Sequence, residues 1–171
     1  MKAIEKAFLE KDEKACEVLY RKYFRLLEFL ALEILQDPSE AEDVAQESFL
    51  KAFLHSKEYT QEVSFLAWLC RIAKNEALDR LRKRRRTVPL DEEKINAVPD
   101  SSSPSATADE SLLLERVKSI LSPEDYSLVI LRVYFRLPYK EIALLLSSTA
   151  AQLVPRYDRA IKKLRKTLGG K

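Results

Sequence analysis

The chain has 171 residues, 46% hydrophobic and 33% charged, with a formal net charge of +3. Its only two glycines, Gly169 and Gly170, fall in the last three positions, which excludes glycine-dependent phosphate loops, dinucleotide fingerprints and tight hairpins. One histidine, His55, and two distant cysteines, Cys16 and Cys70, leave no redundancy for a zinc site, a CxxC redox pair or a Ser/His/Asp triad.

An all-α protein is therefore expected, built as two small helical domains joined by a linker, with neither metal nor other cofactor and no activity as an enzyme. No run approaches the roughly 18 apolar residues of a membrane span, so no membrane insertion and a cytoplasmic, reducing location are expected. Charge is unevenly spread. Residues 1–65 hold nine basic against fourteen acidic residues and 66–86 eight against two. Residues 87–115 then hold one against seven, and 116–171 twelve against four. Two basic blocks flank an acidic spacer, a pattern suited to two contacts with a polyanion.

In chain order, residues 12–35 repeat apolar side chains at helical spacing (Ala15, Val18, Leu19, Tyr23, Leu26, Leu27, Leu30, Ile34), predicting an amphipathic helix. Asp37-Pro38-Ser39-Glu40 restarts the chain: Asp37 as cap, Pro38 at the first helical position, Glu40 where a capping box places its acid. The second helix is predicted from Pro38 to about His55, with Val44, Phe49 and Phe53 inward. The third runs from about Val63 to Arg86, with Leu66, Leu69, Ala73 and Ala77 inward and Arg71, Asn75, Asp79 and Arg82 in a narrow arc outside. It ends in six basic residues among the seven of 80–86, more than the helix dipole requires.

Residues 87–109, with Pro89, Pro99, Pro104 and a serine cluster, read as a linker dividing a domain at 1–86 from one at 110–171. The second domain is expected to hold helices at about 110–121, 123–135 and Tyr139–Leu146, then a Ser147-Ser148-Thr149 turn and a last helix ending near Leu168. That final pair forms a helix-turn-helix pattern. Leu153, Tyr157, Ala160, Ile161 and Leu164 face inward on the last helix, leaving Gln152, Arg156, Arg159 and Lys163 exposed.

The stretch from Glu40 to Phe53 (EAEDVAQESFLKAF) closely resembles region 2.2 of bacterial sigma factors. Phe65 to Arg82 (FLAWLCRIAKNEALDRLR) resembles regions 2.3 and 2.4, and Leu121 to Arg165 resembles region 4. Two such domains on one short chain are similar to the extracytoplasmic-function (ECF) group of sigma factors. The resemblance implies that Asp43, Gln46 and Glu47 dock on the clamp helices of the largest subunit of core RNA polymerase, and that the C-terminal domain meets the polymerase flap region. It further implies that Tyr59, Phe65, Trp68, Arg71, Asn75, Asp79 and Arg82 recognise and melt the −10 element of promoter DNA, with Lys83, Arg84, Arg85 and Arg86 gripping phosphates. Gln152, Arg156, Arg159 and Lys163 are then the −35 recognition residues, and an anti-sigma factor is an implied partner. The acidic linker is implied to run near the RNA exit path.

Two residues depart from the pattern. Ser147 stands where such turns often carry glycine, and Pro155 falls inside the expected recognition helix. Either that helix starts nearer Leu153 or Pro155 kinks it. Two other functions therefore stand beside the sigma reading: a polymerase-binding adaptor with altered or lost upstream recognition, and a helix-turn-helix regulator acting without polymerase.

Overall fold

The computed structural model describes residues 2–87 and 108–169. The chain divides into two compact units, Met1–Pro99 and Asp100–Lys171. Every regular element among the described residues is helical. Most of the expected linker lies outside the described residues, and the next helix begins two residues earlier than expected.

In the first unit, α1 (Ala3–Leu9), α2 (Glu13–Leu35), α3 (Pro38–Leu54), a 3-10 turn (Ser56–Glu58) and α4 (Phe65–Thr87) follow in order. Helices α2, α3 and α4 pack on one another, and α1 lies against α2. Starts are set by side chains. Asp12 accepts from the Ala15 amide at 2.7 Å, Asp37 from Glu40 at 3.0 Å, and Ser64 Oγ from Ala67 at 3.2 Å, each satisfying an amide that the helix cannot. Helix α2 buries Leu19, Leu26, Leu27, Leu30, Ala31 and Leu35. Alanines 41, 45, 52, 73 and 77 on α3 and α4 are all fully buried, so small side chains let these two helices approach closely. Val18, expected inside, is 51% exposed; the inward stripe is narrower at the start of α2 than the sequence period suggests.

Helix α1 has no counterpart among the predicted elements. At seven residues it is too short to be stable alone, and it is held by Phe8, which is fully buried and meets Phe53 and Phe65 edge-on at 5.8 and 5.3 Å between centroids. The expected capping box at α3 is half formed. Asp37 and Pro38 act as expected, whereas the Glu40 carboxylate faces Arg84 of α4 at 3.5 Å.

The second unit contains α5 (Ala108–Ile120), α6 (Pro123–Val133), α7 (Tyr139–Leu145) and α8 (Ala150–Leu168). Val117, Leu121, Val129, Ala160 and Leu164 form one part of its core, while Ile142, Leu145 and Leu153 fasten α7 to α8. The α6–α7 corner is tied by Arg132, which donates to the Leu137 carbonyl at 2.9 Å and lies 4.7 Å over the Tyr139 ring. Helix α7 ends in a Schellman cap. The Ser148 amide donates to the Ala143 carbonyl at 2.9 Å, and Ser147 takes the left-handed conformation, φ 50°.

Helix α8 starts at Ala150 with Thr149 as its cap. This overturns the option that it begins nearer Leu153. Pro155 is the sixth helical residue, so the Ala151 carbonyl loses its partner four residues on; both residues are exposed, and water can serve that oxygen.

Candidate functional site

The first unit places its charged candidates along the α3–α4 seam. Asp43, Gln46 and Glu47 all stand exposed on α3, one helical turn around the buried Val44, Ala45 and Ser48. Gln46 donates to Glu42 at 3.4 Å. Asp43 and Glu47 are not solitary acids. Arg80 of α4 reaches both, its guanidinium 2.7 Å from Glu47 Oε1 and 3.7 Å from Asp43 Oδ2. Burial works against the Arg80 charge, but Glu47, Asp43 and Glu76 outweigh it and raise the pKa.

Two further ion pairs flank this clasp, Lys51 with Glu76 and Arg84 with Glu40. On α4 the three positions 76, 80 and 84 are spaced by four, one per turn. On α3 their partners are 51, then 47 and 43, then 40, so the helices are zipped antiparallel along one edge. Arg80 is the residue the sequence reading missed. Its signal was present in the matching four-residue spacing of charges on the two helices, which becomes legible once α3 and α4 are paired antiparallel.

The far face of α4 carries Arg71, Asn75, Asp79 and Arg82, all exposed. The side chains of Arg71 and Asn75 make no hydrogen bond or ion pair among the described residues, whereas Asp79 accepts from Arg82 at 2.9 Å. Lys74, half-buried on the same helix, has its pKa lowered by desolvation, partly offset by Cys70. Of the four expected phosphate contacts, Lys83, Arg85 and Arg86 are exposed. Arg84 is different: it donates to the Leu35 carbonyl at 3.1 Å while pairing with Glu40, a cation serving the C-terminus of α2. It is an anchor for the bundle.

The aromatic candidates form a packed cluster. Phe65 is 2% exposed, enclosed by Phe8, Tyr59 and Trp68. Phe65 and the buried Trp68 therefore present no open ring face for a base. Tyr59 is half-buried, its ring 5.2 Å from that of Trp68, and its hydroxyl donates to the Val63 carbonyl at 2.8 Å. Tyr59 is the accessible edge of this cluster, and Phe65 and Trp68 are its floor.

In the second unit the expected base readers separate into two kinds. The Gln152 Oε1 accepts from Ser148 Oγ, from Thr149 Oγ1 and from the Thr149 amide at 3.1, 3.1 and 3.3 Å. Bidentate reading of adenine needs both the carbonyl and the NH₂ of a glutamine, so Gln152 is a capping residue here. Arg156 turns back onto α6, with Nε 2.5 Å from Asp125 and Nη2 3.3 Å from Glu124. The Asp125 bond is the main reason its pKa is raised. Arg156 is thus a latch between α6 and α8. Arg159 and Lys163 remain exposed on α8, joined by Lys162 and Lys166 at helical spacing. Among the described residues no three His, Cys, Asp or Glu side chains gather in a way that could hold a metal ion.

The family model for sigma-70 region 2 matches residues 19–87, the span that holds α3, its acids and α4. The chain is 28% identical over 173 residues to the RNA polymerase sigma-H factor of Pseudomonas aeruginosa, across 92% of this chain and 88% of that one. It is 25% identical over 150 residues to the ECF RNA polymerase sigma factor SigM of Bacillus subtilis, across 86% and 91% of the two chains. The chain thus carries a sigma-70 region 2 domain over residues 19–87 and is similar along most of its length to ECF sigma factors. Among solved structures, the sigma factor RpoE bound to the anti-sigma factor NepR from Bartonella quintana superposes with a TM-score of 0.58 at 20% identity, covering 90% of this chain and 96% of that one. At that identity the likeness is one of fold. The helical fold agrees with the sequence expectation, and no described helix is long and apolar enough to cross a membrane.

Proposed function

We propose that this chain directs core RNA polymerase to promoters, supplying recognition and strand separation while the polymerase supplies all the chemistry. On this reading it is not an enzyme, needs no cofactor and works in the cytoplasm where the polymerase is. The observation that carries it is the placement of two opposite functions on one small bundle: exposed acids on α3 and an exposed basic, amide-bearing face on α4. The acids offer charge-assisted bonds to a basic coiled coil on the polymerase. Arg71 and Asn75 offer base-edge donors, Tyr59 a partial stacking face, and Lys83, Arg85 and Arg86 phosphate contacts.

The assignment of residues 1–86 to polymerase docking and the −10 element, and of 110–171 to the flap and the −35 element, belongs to this proposal. So does an anti-sigma partner, which the likeness to the NepR-bound structure supports. Within α8 the DNA-facing set becomes Arg159, Lys162, Lys163 and Lys166, with Gln152 and Arg156 shaping the helix that carries them.

That change favours one second reading, the polymerase-binding adaptor with altered upstream recognition, because two of four expected readers are occupied within the unit. Reconstituted transcription with core polymerase separates the two. Promoter-dependent initiation is expected. Polymerase binding that never yields an open complex would replace the initiation reading with the adaptor.

A further inference from the structure

Asp43 and Glu47 lie four residues apart on α3, where two carboxylates repel one another. Each side chain left alone would sample several rotamers, and binding would have to freeze both. Arg80 changes that. It rises from the neighbouring helix with its side chain only 22% exposed, while the two acids are 62% and 47% exposed. Arg80 is thus the more enclosed partner, and both acids keep exposed surface beside their contact with it. A guanidinium presents its N–H groups in a rigid planar fork, and here the two terminal nitrogens divide between the two acids. Each ionised carboxylate has about four lone-pair sites, so the hydrogen bond from Arg80 to Glu47 and its longer ion pair with Asp43 leave most of their acceptor capacity for a partner. Lys51–Glu76 and Arg84–Glu40 sit one turn away on either side and hold the two helices in register.

We infer that Arg80 is a positioning residue that gathers Asp43 and Glu47 into one pre-ordered acceptor pair for a basic partner surface. This rests on the proposed docking of those acids on polymerase. Removing Arg80 has two opposed effects. The site becomes more negative, which speeds encounter with a cationic partner. The acids also lose their common anchor, and ordering two side chains at the moment of binding shortens the life of the complex by about tenfold. The second effect acts on dissociation, which distinguishes positioning from competition: if Arg80 merely masked the acids, its removal would leave the complex longer-lived.

The test is association and dissociation kinetics of the full chain with core RNA polymerase, for Arg80→Ala, Arg80→Lys, Glu47→Gln and the Arg80→Ala/Glu47→Gln pair, each checked for native helicity by circular dichroism. Arg80→Ala is expected to raise koff about tenfold with kon unchanged or higher. Lysine, a point charge without the fork, is expected to restore only part of the lifetime, and it serves as the readout should the alanine variant unfold. The Arg80→Ala effect should shrink in the Glu47→Gln background, where only Asp43 is left for Arg80 to order, a non-additivity that a general weakening of the bundle would not produce. An unchanged or slower koff for Arg80→Ala, or effects that simply add, would overturn the inference while leaving the docking reading intact. If Glu47→Gln and the Arg80→Ala/Glu47→Gln pair both bind like the native chain, the docking reading itself fails and takes this inference with it.

Discussion

A chain without glycine before position 169 must still turn its corners, and it does so with side chains in the left-handed region. Lys11, Gln36, Gln61, Arg136 and Ser147 all have φ between 50° and 66°. Each such residue carries about 1–2 kcal/mol of strain relative to glycine, offset by the smaller freedom it loses on folding. At Ser147 the strain sits in the turn that sets α8 against α7. Ser147→Gly should fall within about 0.5 kcal/mol of the native stability, and Ser147→Val, β-branched, should lose about 1–2 kcal/mol; equal denaturant midpoints for the two would show that the turn relaxes around its occupant. Arg156 is a second residue whose role the structure redefines. It is more than a third exposed, so its pairs with Asp125 and Glu124 contribute about 1 kcal/mol after screening. Arg156→Ala should lower stability by that amount and weaken upstream DNA binding evenly. Relaxed preference at a single base pair, measured against a panel of substituted −35 sequences, would return it to the base readers.

At the level of elements, the helices from α2 to α8 were legible because caps and apolar period agree. Asp37-Pro38 and Ser122-Pro123 mark starts that the structure keeps, and the inward faces of α4 and α8 match the buried residues closely. Helix α1 was not legible, since seven residues give barely two turns of periodicity and its stability comes from Phe8 in a distant aromatic cluster. The candidate site was legible as a set of faces, not as a set of partners. Local spacing identifies Asp43, Glu47 and Arg156 as exposed charges, but Arg80 and Asp125 meet them only through tertiary packing. Pro155 is the remaining conflict between local rule and fold. The helix runs through it from Ala150 to Leu168, held by the Thr149–Gln152 cap and by Leu153, Ala160 and Leu164 inside. Replacing Pro155 with Ala should restore the bond to the Ala151 carbonyl and stabilise the second unit by about 1–3 kcal/mol. An unchanged unfolding midpoint would mean that solvent already satisfies that carbonyl in full.

For the molecule as a whole, a net charge of +3 conceals a strong segregation, because basic residues crowd the end of α4 and the exposed side of α8 while acids line α3. Not all the α4 cations are available to DNA. Arg80 and Arg84 are committed to α3 and to the end of α2, whereas Arg85 and Arg86 remain exposed. This partition predicts two different phenotypes within one basic run. Each cation taken away from a phosphate of duplex DNA makes the slope of log K against log salt shallower by about 0.9. Arg85→Gln together with Arg86→Gln should therefore flatten the slope by nearly 2 for the polymerase-bound chain on promoter DNA, equally for matched and mismatched −10 sequences. Arg84→Gln should instead lower the denaturation midpoint and leave the slope almost unchanged. Fluorescence anisotropy over a salt series, run beside denaturant titrations of the same variants, separates the two. A slope change for Arg84→Gln as large as for the others would show that its ties to Glu40 and Leu35 give way when DNA arrives, placing Arg84 on the phosphate backbone with Arg85 and Arg86.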